Sequence, residues 1–361
     1  MTIAPFLPVI LVGSLRTDYV ITRQGKSLVA VPGGHLFYTA LGLHFCEKQF
    51  GIVSRVGSNF PETPLELLRS YGVDIRGVKR TLEPIDYRFF IHYDPNNEKD
   101  FANPLAHFAA ERIPLPKALL GYELKTRTYA QLFQRDDETI VYRDIPADYL
   151  DSTFIHICPH DFLTQMLIPQ SFRQSGTKRI TLRAAPEVMI PQFLPKFGSL
   201  INGLSAFFCD ESEIQSLFQN SIFSEFRKQV SALASLGAET IVVFRKDDVF
   251  LYEAKRDEAL TIPFFSKTVE NRTGLKDAFC GGFIGALMKS YSYREALAGG
   301  VAAASFVSES TDPLYALDAV TGLYDARRTH LVGEVREVVV PAEVRKWRRF
   351  SANRLKSDTI D

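Results

Sequence analysis

The chain lacks a net charge: lysine plus arginine and aspartate plus glutamate each total 42 in 361 residues. A protein bound to nucleic-acid phosphates would carry a basic excess, and none exists here. The late basic run Arg345, Lys346, Trp347, Arg348 and Arg349 is read as a solvated C-terminal face, so no nucleic-acid partner is expected. Cysteines are few, and Cys46, Cys158, Cys209 and Cys280 stand far apart in apolar surroundings. They read as reduced thiols in a cytoplasmic protein, with neither a disulfide framework nor a zinc spacing. His156-Ile-Cys-Pro-His160 has the residue types of a metal site, but it continues an apolar run and stops at Pro159, as a strand entering a loop does. No apolar run approaches the ~20 residues of a membrane span, so no membrane partner is expected. The opening residues have neither a basic region nor a cleavage-like motif, so no signal peptide is expected. Internal repeats and low-complexity tracts are also missing.

What is present is an ordinary globular composition, 46% hydrophobic and 23% charged. Short apolar runs read as strands at Val9–Val12, Gly51–Gly57, Phe154–Cys158, Arg179–Leu182, Ala206–Cys209, Thr240–Phe244 and Val249–Tyr252. Helical stretches fit between them at Leu36–Phe45, Pro64–Tyr71, Ser212–Phe218 and Phe223–Leu236. Such alternation predicts an α/β protein with a mostly parallel sheet covered on both faces. Other β-like runs fall outside this rhythm. Tyr19–Thr22 and Ser27–Val31 flank Gly25 as a small hairpin, Tyr87–Tyr93 is strongly β-like, and Leu124–Phe133 reads as a further strand. Pro95 to Asp100 reads as a polar loop, and a charged tail follows the β-like Val338-Val-Val340.

One segment carries the pattern of a chemical site: Asn271-Arg-Thr-Gly-Leu-Lys-Asp-Ala-Phe-Cys-Gly-Gly-Phe283, which leads into an apolar helix. Gly274 suits a tight turn, and the amides after it would point out of the helix N-terminus and cradle an anion. Asp277 would sit in the first turn beside that cradle. A carboxylate that takes a hydroxyl proton next to amides that hold a phosphoryl group is what phosphoryl transfer requires. On spacing alone, an acidic helix cap with Gly281-Gly282 permitting close packing is the better explanation of the segment.

The same segment resembles the second signature of the ribokinase-like (PfkB-type) carbohydrate and nucleoside kinases, and other landmarks follow in order. Gly13-Ser-Leu-Arg-Thr-Asp18 resembles the opening strand with its substrate-binding Asp, and Pro32-Gly33-Gly34 the di-glycine that approaches the sugar. Val56-Gly57-Ser-Asn59, Tyr71-Gly-Val-Asp74 and Phe208-Cys-Asp210-Glu-Ser-Glu213 resemble later motifs, the last being the N-x-x-E step associated with magnesium and phosphate. The resemblance implies a three-layer ribokinase-like sandwich over residues 1–330, with a small β lid from segments near 19–31 and 86–135. Residues 331–361 would be a C-terminal extension. It also implies ATP and magnesium as cofactors, a sugar or nucleoside hydroxyl as acceptor, and a homodimer formed through the lid's exposed strand edges.

Carried over residue by residue, the resemblance makes Asp277 the general base and Gly274, Leu275 and Lys276 the anion hole. Asp18, Gly33, Gly34 and Tyr38 would grip the substrate. Asp210 and Glu213 would support the metal, while Phe244 and Arg245 would meet the nucleotide. The chain departs from the pattern at several of these places. Asn271 replaces the signature's first Asp, Leu275-Lys276 its Ala-Gly pair, Tyr38 a substrate-contacting Asn, and Asp210 the N-x-x-E Asn. Phe244-Arg-Lys-Asp-Asp-Val249 has neither glycine of the nucleotide turn, and Arg183 stands where a strand usually ends in Asp. Two functions are therefore open: an ATP-dependent small-molecule kinase, or a catalytically impaired ligand-binding or regulatory protein on the same fold.

Overall fold

The computed structural model describes residues 5–339 apart from 220, 265–268, 270 and 321. Its strands are β1 (Val9–Val12), β2 (Arg16–Ile21), β3 (Ser27–Gly33), β4 (Phe50–Val56), β5 (Asp74–Arg80), β6 (Arg88–Tyr93) and β7 (Lys99–Asp100), followed by β8 (Phe154–Ile157), β9 (Arg179–Arg183), β10 (Ala206–Asp210), β11 (Thr240–Phe244), β12 (Asp248–Glu253), β13 (Glu258–Pro263) and β14 (Arg336–Val338). The helices are α1 (His35–His44), α2 (Thr63–Ser70), α3 (Pro104–Ala110), α4 (Phe162–Gln174), α5 (Phe197–Ile201), α6 (Glu211–Leu217), α7 (Phe226–Ser235), α8 (Leu275–Ser290), α9 (Tyr293–Ser308) and α10 (Leu323–Val332).

The large sheet runs β14-β13-β12-β11-β10-β9-β8-β1-β4-β5. Its strands from β5 through β11 pair in parallel, and β12, β13 and β14 add antiparallel pairs at one edge. Strand period decides the layers. Val9 and Leu11 of β1 join one core, shared with α1, α8 and α9, while Ile10 and Val12 join the other, shared with α4 and α7. The chain leaves β1 for β4 on one side and later returns to β8 on the other. That reversal places a crevice at the carboxyl ends of the strands, where ligands bind in open α/β sheets.

A second sheet, β3-β2-β6-β7, stands outside the first as the lid. β2 and β3 form the expected hairpin, and β6 pairs with β2 in parallel. Tyr19, Ile21, Phe90 and Phe108 fill one side of this sheet, and Val20, Ile91 and Tyr93 the other.

Two expectations fail here. Leu124–Phe133 is not a strand: only a tight turn at Gln131–Phe133 forms, because Gln131 Oε1 takes the Thr128 N–H at 2.8 Å and folds the segment on itself. The polar loop before Asp100 is shorter than expected, since Lys99 and Asp100 pair with Tyr93 and His92 as β7. β14 begins two residues before the β-like Val338, whereas Val340 and the basic run at 345–349 lie outside the described residues. Among the described residues no helix is long and apolar enough to cross a membrane.

Candidate active site

One wall of the crevice is built around Asp18 of β2, which is 1% exposed. β3 crosses it so closely that a Cβ on Gly33 would lie 2.0 Å from the Asp18 carboxyl carbon, which leaves room only for glycine. From α1, the Tyr38 hydroxyl donates to Asp18 Oδ2 at 3.1 Å. The other oxygen, Oδ1, is buried without a hydrogen-bond partner. Burial raises the Asp18 pKa to about 7; the Tyr38 hydroxyl, the Gly34 amide and Arg16 oppose the rise, and nearby Asp277 adds to it. Arg16 itself is held at 2.5 Å by Glu138.

At the centre, Gly274 adopts a left-handed φ of 75° as the N-cap of α8. A Cβ there would fall 2.0 Å from the Tyr38 ring, so this glycine also holds Tyr38 in place. Leu275 turns into the core at 4% exposure and does not line the cradle. The first-turn amides of α8 therefore keep their orientation toward the crevice, with no intrahelical carbonyl to bond. Asp277 is buried in that turn between Arg183 and His35. Arg183, at the end of β9, pairs with Oδ1, and His35 Nδ1, at the start of α1, lies 3.1 Å from Oδ2. Burial alone would raise the Asp277 pKa, but Arg183 and His35 outweigh it and hold the carboxyl well below the usual carboxylate range.

The opposite wall is made of charges. Lys276 pairs with Asp210 at the end of β10, and Glu213 accepts the Asp210 backbone N–H at 2.7 Å as the cap of α6. Burial and the Asp210 charge raise the Glu213 pKa. Phe244 of β11 is buried against Phe264 and Phe279, with the Arg183 guanidinium 5.8 Å and the Lys276 ammonium 5.9 Å from its ring centre. Above them the lid closes: the Tyr93 and Thr273 hydroxyls are 3.0 Å apart, and Lys99 lies 5.7 Å from the Tyr93 ring centre. Lys99 is open to solvent on the lid strand.

These residues do not fit the expected magnesium ion. A hard divalent cation needs about six oxygen ligands, yet an ammonium group occupies one Asp210 oxygen and one Glu213 oxygen caps a helix. Asp210 Oδ1 is buried without a hydrogen-bond partner. Among the described residues no group of three or more His, Cys, Asp or Glu is placed to hold a metal.

Residues 149–319 match the model of the pfkB family carbohydrate kinases. The chain is similar to that family over just under half of its length. Its fold is that of the ribokinase-like kinases. It superposes on ribokinase from Cryptococcus neoformans var. grubii serotype A in complex with ADP (TM-score 0.62, 17% identity, 89% of this chain and 99% of that one). It also superposes on Anopheles gambiae adenosine kinase in complex with a diadenosine tetraphosphate (TM-score 0.62, 15% identity, 85% and 97%). In sequence it is similar to a cytidine kinase of Thermococcus kodakarensis, 23% identical over 283 residues that make up 77% of this chain and 87% of the relative.

The fold brings most of the expected residues together. Asp18, Gly33, Tyr38, Gly274 and Asp277 form one continuous wall, while Lys276, Asp210, Glu213 and Phe244 form the other. Arg245 does not join them. Its guanidinium is held by Asp248 at 2.5 Å and lies over Phe226 and Phe250, on the α7 side of the sheet. Asn271 braces the loop before α8 by accepting the Thr273 N–H and donating to the Thr311 carbonyl. His156 and His160 take separate partners, Thr181 and Asp161. Reading the sequence missed three site residues: His35, Arg183 as the partner of Asp277, and Lys99. Only Arg183 had a usable signal, its place at the carboxyl end of a parallel strand.

Proposed function

We propose that the protein transfers a phosphoryl group from ATP to a hydroxyl of a small sugar or nucleoside, with Asp277 as the proton acceptor. The observation that carries this reading is the presence of two carboxylates on one wall of the crevice. Asp18 offers a buried oxygen without a partner, and Asp277 stands near enough to raise the Asp18 pKa, at the mouth of an anion-binding helix terminus. A substrate hydroxyl that satisfies Asp18 Oδ1 would present a second hydroxyl toward Asp277. The base is deprotonated throughout the physiological range. Arg183, which holds it, is a forked donor suited to carboxylate and phosphate alike, so an entering phosphoryl group competes for the same guanidinium. Relatives named as ribokinase, adenosine kinase and cytidine kinase support the acceptor class, and the ADP complex of the ribokinase supports a nucleotide donor. A binding-only protein on this fold is not favoured by the family match.

Thermal-shift screening against ATP, ADP, sugars and nucleosides tests the reading, because a ligand held by the native state raises its unfolding temperature. At least one sugar or nucleoside is expected to stabilise the wild type, and to lose that effect in Asp18→Asn. A panel that leaves the midpoint unmoved by every acceptor counts against the assignment of this wall.

A further inference from the structure

Two cations from separate parts of the chain meet at the donor wall, Arg183 from β9 and Lys276 from the first turn of α8, and the lid strand β7 carries a third, Lys99, beside Tyr93. Arg183 and Lys276 flank one phenyl ring, that of Phe244. Lys99 feels the charges of Arg183, Asp210, Asp277 and Glu213. Arg183 is 8% exposed and its Nε has no hydrogen-bond partner. It therefore retains a donor beyond the one given to Asp277. Against these cations stand Asp210 and Asp277, each already in an ion pair. Crowding like charges is costly unless an anion joins them. The α8 amides aim at the same space. Lys276 already holds one of the Asp210 oxygens that a divalent ion would use, and a helix cap holds one of Glu213's.

Resting on the kinase reading, we propose that Arg183, Lys276 and Lys99 bind the phosphate chain of the donor directly, in the place of a divalent cation. The ligand class is a linear phosphate anhydride, either a nucleoside triphosphate or an inorganic polyphosphate. During transfer the acceptor oxygen forms a bond to the terminal phosphorus, and its proton passes to Asp277. The anhydride P–O bond breaks, and its electron pair leaves on the shortened phosphate chain, whose new charge the three side chains neutralise. Lys276 keeps Asp210 and reaches the chain with its remaining donors, and Lys99 moves with the lid.

Calorimetric titration of the full chain with ATP and with inorganic tripolyphosphate, each in EDTA and in magnesium, tests this. The wild type is expected to bind at least one of them in EDTA about as tightly as in magnesium. Equal binding of both places recognition on the phosphate chain, and binding of ATP alone identifies a nucleotide donor. Lys276→Met should weaken binding in EDTA by about tenfold or more, the usual loss for a hydrogen bond to a charged group. Lys99→Met, on the exposed lid strand where misfolding is not at issue, should weaken it in the same direction. Binding that requires magnesium, or variants that match the wild type in EDTA, overturns the proposal and leaves the kinase reading standing. If no phosphate chain binds with or without magnesium, both fall.

Discussion

The two walls of the crevice are built on different principles. The acceptor wall is steric: Gly33 and Gly274 have no room for a Cβ, and Tyr38 and Asp18 lock against them. The donor wall is electrostatic: Lys276 is paired with Asp210, and Arg183 is paired with Asp277 where the two walls meet. Steric walls tolerate one backbone and one side-chain size, whereas paired charges can change partners without moving the fold. The contrast explains how the chain can depart so far from the nucleotide turn of the family it resembles and still keep the fold.

The largest effect is expected where the steric wall is broken. Gly274→Ala would impose a positive φ on a side chain and drive its Cβ into the Tyr38 ring. Strain and overpacking together should cost about 2–5 kcal/mol, measured as a lowered urea midpoint. A midpoint like that of the wild type would mean that this wall is softer than its geometry implies.

Arg183→Met breaks the electrostatic wall instead, and should cost about 3 kcal/mol at neutral pH by leaving Asp277 buried with His35 alone. In the wild type the Asp277 pKa is depressed below its ordinary 3.8. Its stabilising contribution is therefore present above that value and lost as pH falls through the folded pKa. Without Arg183, burial dominates and the pKa rises, so the sign reverses and the variant should lose stability as pH climbs above about 4. Denaturant titrations at pH 5 and pH 7 distinguish the two behaviours. A variant whose stability does not fall between them would show that Arg183 does not set the charge state of the base.

Smaller effects sharpen the comparison. Asp18 has a pKa of about 7, so it is neutral below that pH and charged above it. A charged acceptor improves a hydrogen bond to a substrate hydroxyl by ~1 kcal/mol. Acceptor affinity should therefore rise about fivefold across neutral pH, and Asp18→Asn should flatten the profile. Tyr93→Phe removes the hydroxyl contact between lid and Thr273 and should cost about 0.5–1 kcal/mol. Hydrogen exchange in β6 and β7 should then speed up without change in the central sheet. Uniform exchange in both sheets would mean that this contact does not hold the lid.

What could be read in the sequence follows the same division. Gly33, Gly34, Gly274 and Asp277 were legible because each makes sense within a few residues of chain, as a close approach, a left-handed turn or a helix terminus. The hairpin at β2 and β3 and the parallel strands were legible from short apolar runs. The partners of Asp277 were not, since Arg183 is 94 residues away and His35 is 242. Only the register of β9 beside β10, and the packing of α1 on α8, bring them together. Lys99 was hidden in a polar loop because a strand of two residues exists only where β6 offers it an edge. The helix α4 passed unnoticed because Pro169 lies inside it. Leu124–Phe133 misled in the other direction, since its β-like residues have no strand to pair with.

The most direct measurement is phosphoryl transfer from ATP to a panel of sugars and nucleosides by the wild type and by Asp277→Asn, in single-turnover conditions. The account predicts transfer to at least one acceptor hydroxyl by the wild type, and a fall of about 10²- to 10⁴-fold in the variant, the usual worth of a general base. Equal rates in the two proteins, or no transfer by the wild type to any acceptor, would contradict it.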